Sequence, residues 1–129
     1  MIELILPWPP SINHYWRNIQ GRTIISREGR AYRAAVLSII AQSGLQPVSG
    51  AVGVRRIIYC PDWRRRDIDN LAKAVYDAIG AAGLWQDDSF ICEEKVKKRK
   101  SSDKIGRIVI QIYPMNTGVI VKKAGAWIK

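Results

Sequence analysis

An α+β domain, with one small mixed β-sheet and two main helices, is the fold that this sequence predicts. Three observations predict it. Short runs rich in Ile, Val and Tyr, bounded by Pro, Gly or Asp, recur along the chain as strands. Two longer segments, about 27–43 and about 68–82, instead repeat apolar residues at three- and four-residue spacing. The two kinds of segment alternate, yet several of the strands can pair antiparallel, so the sheet is expected to be mixed.

The first strand is IELIL (2–6), and the prolines of PWPP then forbid regular structure until about residue 12. INHYWRNIQGRTIIS reads as loop, with a turn at Gln20-Gly21. Ser26 suits the cap of the first helix, because its hydroxyl can accept from the backbone N–H groups that a first turn leaves free. Tyr32, Ala35, Val36, Ile39 and Ile40 follow at helical spacing, and Gly44 ends the run. AVGVRRIIYC (51–60) is a strand closed by Pro61-Asp62. The second helix is the most regular segment: Ile68, Leu71, Ala72, Val75, Ile79 and Ala82 make one apolar stripe, and Gly83 is a natural left-handed stop. A strand from Phe90 to about Arg99, a turn at SSDKIG and a strand at RIVIQIYP (107–114) follow. Residues 115–129 are either an extra edge strand or a mobile basic arm, with Lys122, Lys123 and Lys129 available to phosphates.

The chain's 129 residues suit one compact domain, and at this size a dimer would be unsurprising. A formal net charge of +10 points to a polyanion, with solubility alone as the plainer alternative. No stretch approaches the roughly 20 apolar residues of a membrane span, and the N-terminus lacks a signal-peptide layout. Cys60 and Cys92 have no CxxC spacing and read as small core residues in a reducing compartment, which makes the cytoplasm the expected location.

The chemistry concentrates where RRRDIDN (64–70) runs into the second helix. Asp67 and Asp69 fall at the helix N-terminus, where backbone N–H groups favour negative charge. Asp69 and Lys73 are four apart and share a face that Asp77 continues, while the apolar stripe faces away. Taken alone, the pair reads as a helix cap and a surface ion pair. A second acidic pair, Asp87-Asp88, changes that reading. Two carboxylates about 4 Å apart repel by roughly 4 kcal/mol at an effective dielectric of 20, so a gathered set needs a cation or a proton. Oxygen ligands without His or Cys select Mg²⁺, or Mn²⁺, over zinc. A divalent ion on aspartates, flanked by Arg64, Arg65 and Arg66, suits phosphodiester hydrolysis, with the arginines on neighbouring phosphates and Lys73 offsetting transition-state charge. His14 is the only histidine and has no partner motif, and no glycine-rich phosphate loop occurs. Distance is the difficulty: a helix over 68–82 is about 22 Å long, and residues 83–88 extend to about 20 Å. Asp88 therefore joins Asp67 and Asp69 only if the chain runs straight back, or a partner subunit supplies it.

PDWRRRDIDNLAKAVYDAIGAAGLWQDD (61–88) resembles the central motif of the RusA family of Holliday junction resolvases, and LPWPPSINHYWR and GRTIISREGRAYR resemble that family's opening blocks. The likeness covers roughly residues 2–113, so 1–114 is expected to be the endonuclease domain and 115–129 a basic tail. The resemblance implies a small homodimeric, Mg²⁺-dependent endonuclease that binds four-way DNA junctions and nicks two opposing strands symmetrically, in recombination and repair. It also implies an acidic triad of Asp67, Asp69 and Asp88 with Asp87 beside it, and a catalytic role for Lys73. A two-fold symmetric junction is most simply cut by a C2 pair of identical sites.

Lys95 and Lys97, in EKVKKRK (94–100), share a strand face with Arg99 and are further candidates for a DNA backbone. Lysines guarding an edge strand are the structural alternative. Trp16 and Trp63 are expected to be packed, with stacking on unpaired bases as the functional alternative. The competing function class is a basic module that binds branched DNA without cutting; an RNA-processing nuclease would share the metal chemistry.

Overall fold

The computed structural model describes residues 1–66, 69–115, 121–123 and 126–128, with side chains for all of these except Ile12, Asn13, Asp69 and those beyond residue 115. The elements run β1 (Ile2–Pro7), α1 (Ile12–Tyr15), β2 (Trp16–Ile19), β3 (Arg22–Ile25), α2 (Arg27–Ser43), β4 (Val52–Cys60), α3 (Asp69–Ala81), β5 (Ile91–Lys100), β6 (Arg107–Pro114), β7 (Val121–Lys123) and β8 (Ala126–Ile128). Four strands form one sheet in the order β1-β6-β4-β5. β6 is antiparallel to both β1 and β4, whereas β4 and β5 are parallel and joined through α3. The expected α+β fold with a mixed sheet and two main helices is what the chain forms.

Alternation along the strands decides which face is covered. Val52, Val54, Arg56, Ile58 and Cys60 of β4 are buried, as are Ile108, Ile110 and Ile112 of β6 and Leu4 and Leu6 of β1. Onto that face pack Tyr32, Val36 and Ile40 of α2 and Leu71, Ala74, Val75, Ala78 and Ile79 of α3. Each fully buried Ile or Val contributes about 1.5–3 kcal/mol of transfer free energy. Arg56 is the exception in this layer. Its guanidinium ion-pairs with Glu94 of β5 at 2.9 Å and lies 5.5 Å from the centre of the Tyr76 ring, because a charge removed from water needs a partner.

Ser26 caps α2 by accepting from the Gly29 N–H at 2.9 Å, and Gly44 ends it in the left-handed region. Residues 12–25 are more regular than the loop expected. They form the short α1 and a β2–β3 hairpin whose two-residue turn has φ of 51° at Gln20 and 75° at Gly21. Both values are positive, the requirement of the tight hairpin turn that matches strand twist. Only four residues of helix and eight of hairpin are involved, too few for periodicity to show. The SSDKIG turn is knit by Asp103, which accepts from the Ser101 hydroxyl and the Ile105 N–H and pairs with Arg107. Cys60 is buried but Cys92, on the edge strand β5, is exposed, so only one of the two expected core cysteines is in the core. β7 and β8 pair with each other, apart from the main sheet; Lys122 and Lys123 fall in β7, and Lys129 lies outside the described residues. Among the described residues no helix is long and apolar enough to cross a membrane.

Candidate active site

α3 and the return from its C-terminus build the site. Gly83, at φ 79°, adopts the left-handed conformation that an L side chain resists. Its N–H bonds the Gly80 carbonyl at 3.0 Å and that of Leu84 reaches Ile79 at 3.3 Å, a paired stop that satisfies carbonyls the helix end would orphan. Leu84 and Trp85 then plunge into the core, Trp85 edge-on against Tyr76 at 5.7 Å between ring centres. With Trp85 anchored, the next residues are directed back along α3. Asp87 accepts from the Ser89 N–H at 2.8 Å and opens a short 3-10 turn, Asp88–Phe90. That hydrogen bond, helped by Asp88 and the charge of Lys73, holds the Asp87 carboxyl below the usual range.

The result is that Asp88 Oδ2 lies 3.5 Å from Lys73 Nζ. Lys73 is one helical turn, about 5.4 Å, beyond Asp69. A single chain thus brings Asp88 back beside Lys73, because the return from α3 doubles back rather than continuing outward. The two groups stand at an open cleft of about 390 Å³, lined also by Arg33, Tyr76, Asp77, Gln86 and Asp87. Asp67 lies outside the described residues, as does the side chain of Asp69, and among the described residues no three acidic, His or Cys side chains gather. What the described cleft offers a metal is oxygen, from Asp87, Asp88 and Gln86, with no His or Cys in its lining. That donor chemistry fits Mg²⁺.

Asp77, one turn further along α3, is engaged differently from what its place on the Lys73 face suggested. Arg33 of α2 binds it at 2.7 Å, and the buried Tyr15 of α1 donates its hydroxyl to the same carboxylate. Arg33 Nε also reaches the Tyr15 hydroxyl at 3.1 Å. Burial, reinforced by the hydrogen bond to Asp77, pushes the Tyr15 phenol up to about 12. This tie clamps α1, α2 and α3 at one wall of the cleft.

The three arginines before α3 are not equivalent. Arg66 is folded inward: its guanidinium binds Asp62 at 2.7 Å and lies 5.2 Å from the ring centre of Trp8. Asp62 also accepts from the Arg64 N–H at 2.9 Å, and Lys98 of β5 donates to the Arg66 carbonyl at 3.0 Å. Arg64, with a side chain 84% exposed, and Arg65 project into solvent. Trp63 is also exposed, at 72%, with Lys100 Nζ 5.7 Å from its ring centre, so the expected packing of this tryptophan does not occur. Trp16 is partly buried and packs edge-on against Tyr15.

Lys95 and Lys97 pair with Arg55 and Ile57 on the sheet face away from the helices, on an edge strand. Lys98 has the opposite parity, which is why it reaches the arginine loop instead. Sequence reasoning missed Arg33 and Lys98. Strand parity was the available signal for Lys98; for Arg33 there was none, since its partners come from residues 15 and 77.

Comparison with known proteins shows the family. Residues 7–113 match the family described as Endodeoxyribonuclease RusA. A protein of Shigella sonnei (strain Ss046) named crossover junction endodeoxyribonuclease RusA is 46% identical over 115 residues, covering 88% of this chain and 94% of the relative. The protein of that name from Escherichia coli (strain K12) is 45% identical over the same shares of each chain, and that of Enterobacteria phage 82 is 46% identical. The match spans the capped α2, the arginine loop, α3 and the return to Asp88 together, and the chain belongs to the RusA family of endodeoxyribonucleases.

Proposed function

We propose that this protein resolves four-way DNA junctions by paired, symmetric, Mg²⁺-dependent nicks, as a homodimer in the cytoplasm. The observation that carries the reading is the return of Asp88 to Lys73, one turn from Asp69, in a family whose named members are crossover junction endodeoxyribonucleases. Residues 1–114 are the catalytic unit in this reading, and 115–129 an appendage.

Asp67, Asp69 and Asp88 would hold the ion, with Asp87 beside them. Bound there, Mg²⁺ supplies Lewis-acid activation of the phosphodiester and of water. The chain's own groups do the rest. Lys73, 3.5 Å from Asp88, presents an ammonium to the scissile phosphate and offsets the charge that builds in the transition state. Arg64 and Arg65 bind neighbouring phosphates and hold the strand in register, while Arg66 keeps the loop in shape through Asp62. Lys95 and Lys97 extend the cationic surface along the duplex. Two identical sites related by a C2 axis match the symmetry of the junction.

The test is cleavage of a labelled synthetic four-way junction, with linear duplex of the same sequence as control. Wild type and Asp69→Asn are compared with Mg²⁺ and with EDTA. Paired nicks in the junction alone, absent with EDTA and in the variant, are expected. Tight junction binding with no product in any lane would leave a structure-selective binding module instead.

A further inference from the structure

The most exposed aromatic side chain among the described residues stands four residues before Asp67. Trp63 has 72% of its surface in water, whereas Trp85 is buried and Trp8 and Trp16 are packed against the core. Exposing an indole forgoes the burial that normally makes it valuable. Nor is the exposure that of a loose tip. The Asp62 carboxylate fixes the loop through Arg64 N–H and Arg66, Lys98 ties its far end to β5, and Lys100 stands over the indole ring.

We propose that Trp63 is a stacking platform for an unpaired nucleobase at the branch point of the junction, and so a determinant of selectivity for branched over linear DNA. The inference rests on the junction reading above. The ring is an exposed apolar plane with the Lys100 ammonium 5.7 Å from its centre, and the ligand that matches is flat and apolar with an anionic group beside it. A nucleotide is that ligand. Within an intact duplex both faces of every base are already stacked, so the indole has nothing to gain there. At a branch point a base face is open, and stacking on it adds affinity only for branched DNA. A second copy of this chain is a poor occupant, because it would bring the same cations against the same loop.

The experiment measures dissociation constants of wild type, Trp63→Phe and Trp63→Ala for a labelled four-way junction and for linear duplex. All binding is done in EDTA at one fixed salt concentration. Trp63→Ala is expected to weaken junction binding about tenfold, the size of one lost base–aromatic stack, and to change duplex binding by less than about twofold. Trp63→Phe should retain most of the junction affinity. A 2-aminopurine at the branch point should be quenched by wild type and brighter with Trp63→Ala. Equal losses on junction and duplex would overturn the proposal, as would a Trp63→Ala effect confined to self-association in sedimentation. A wild type that does not prefer the junction would instead sink the junction reading itself, and this inference with it.

Discussion

The carboxylate of Asp77 holds three helices together at the cleft wall, and removing it is the most direct test of that architecture. In Asp77→Ala the buried Tyr15 hydroxyl loses its acceptor while still receiving a hydrogen bond from Arg33. An orphaned buried hydroxyl costs about 1–3 kcal/mol. The Arg33–Asp77 pair is a third exposed on the arginine side, and screening limits it to about 0.2–1 kcal/mol. Together these give a loss of about 1–4 kcal/mol, a fall in Tm of roughly 5–15 °C for a chain of this size. Tyr15→Phe removes the hydroxyl itself and should cost only about 1 kcal/mol. The double variant should then lose less than the sum of the two, because no orphan remains. Urea denaturation of the four proteins measures every term. An Asp77→Ala variant within about 0.5 kcal/mol of wild type, or strict additivity, would refute the clamp. The same network predicts a pH dependence. The Tyr15 phenol is raised to about 12 in the folded chain from an unfolded value of 10.0, so its contribution is complete below pH 10 and is lost as pH rises towards 12. Burial raises Tyr32 and Tyr76 in the same direction. Tyr15→Phe should therefore flatten the alkaline fall in stability by about one proton without abolishing it.

Other substitutions separate catalysis, binding and packing. Lys73→Met should lower single-turnover junction cleavage by about 10²–10³-fold while junction affinity in EDTA stays within a few-fold, as expected when a transition-state stabiliser is removed. Arg64→Met and Arg65→Met should each reduce the slope of log K against log salt by about one and leave Tm nearly unchanged, whereas Arg66→Met should lower Tm, since its guanidinium is spent on Asp62 and Trp8. Gly53→Ala should destabilise by about 1–3 kcal/mol in urea titrations. A Cβ there would run into the Tyr113 ring, which crosses Gly53 from β6 to donate to Glu93 on β5.

The two main helices were legible because each buries one stripe, and burial of a stripe imposes a period that composition displays. α2 runs Arg27–Ser43 as read, and α3 begins at Asp69, within a residue of the expected start. The strands were legible as apolar runs, but their order was not. Nothing local tells β4 to pair with both β5 and β6, since pairing is decided by which strands bury the same helices. The candidate site divides in the same way. Asp67, Asp69, Lys73 and Asp88 stood out as charges at helical spacing or beside a motif, and Asp67 and the Asp69 side chain lie outside the described residues.

By itself, then, the sequence determined a basic, one-domain α+β chain with an acidic helix start and an arginine run before it. Local rules govern those features: stripe periodicity, a serine cap, a glycine stop. Only the tertiary structure decided that Asp88 doubles back to Lys73, that Arg33 and Tyr15 meet on Asp77, that Arg66 turns inward, and that Trp63 faces water. Those contacts join residues up to 62 positions apart. They depend on how helices seat on a sheet, and no neighbouring residue carries that information.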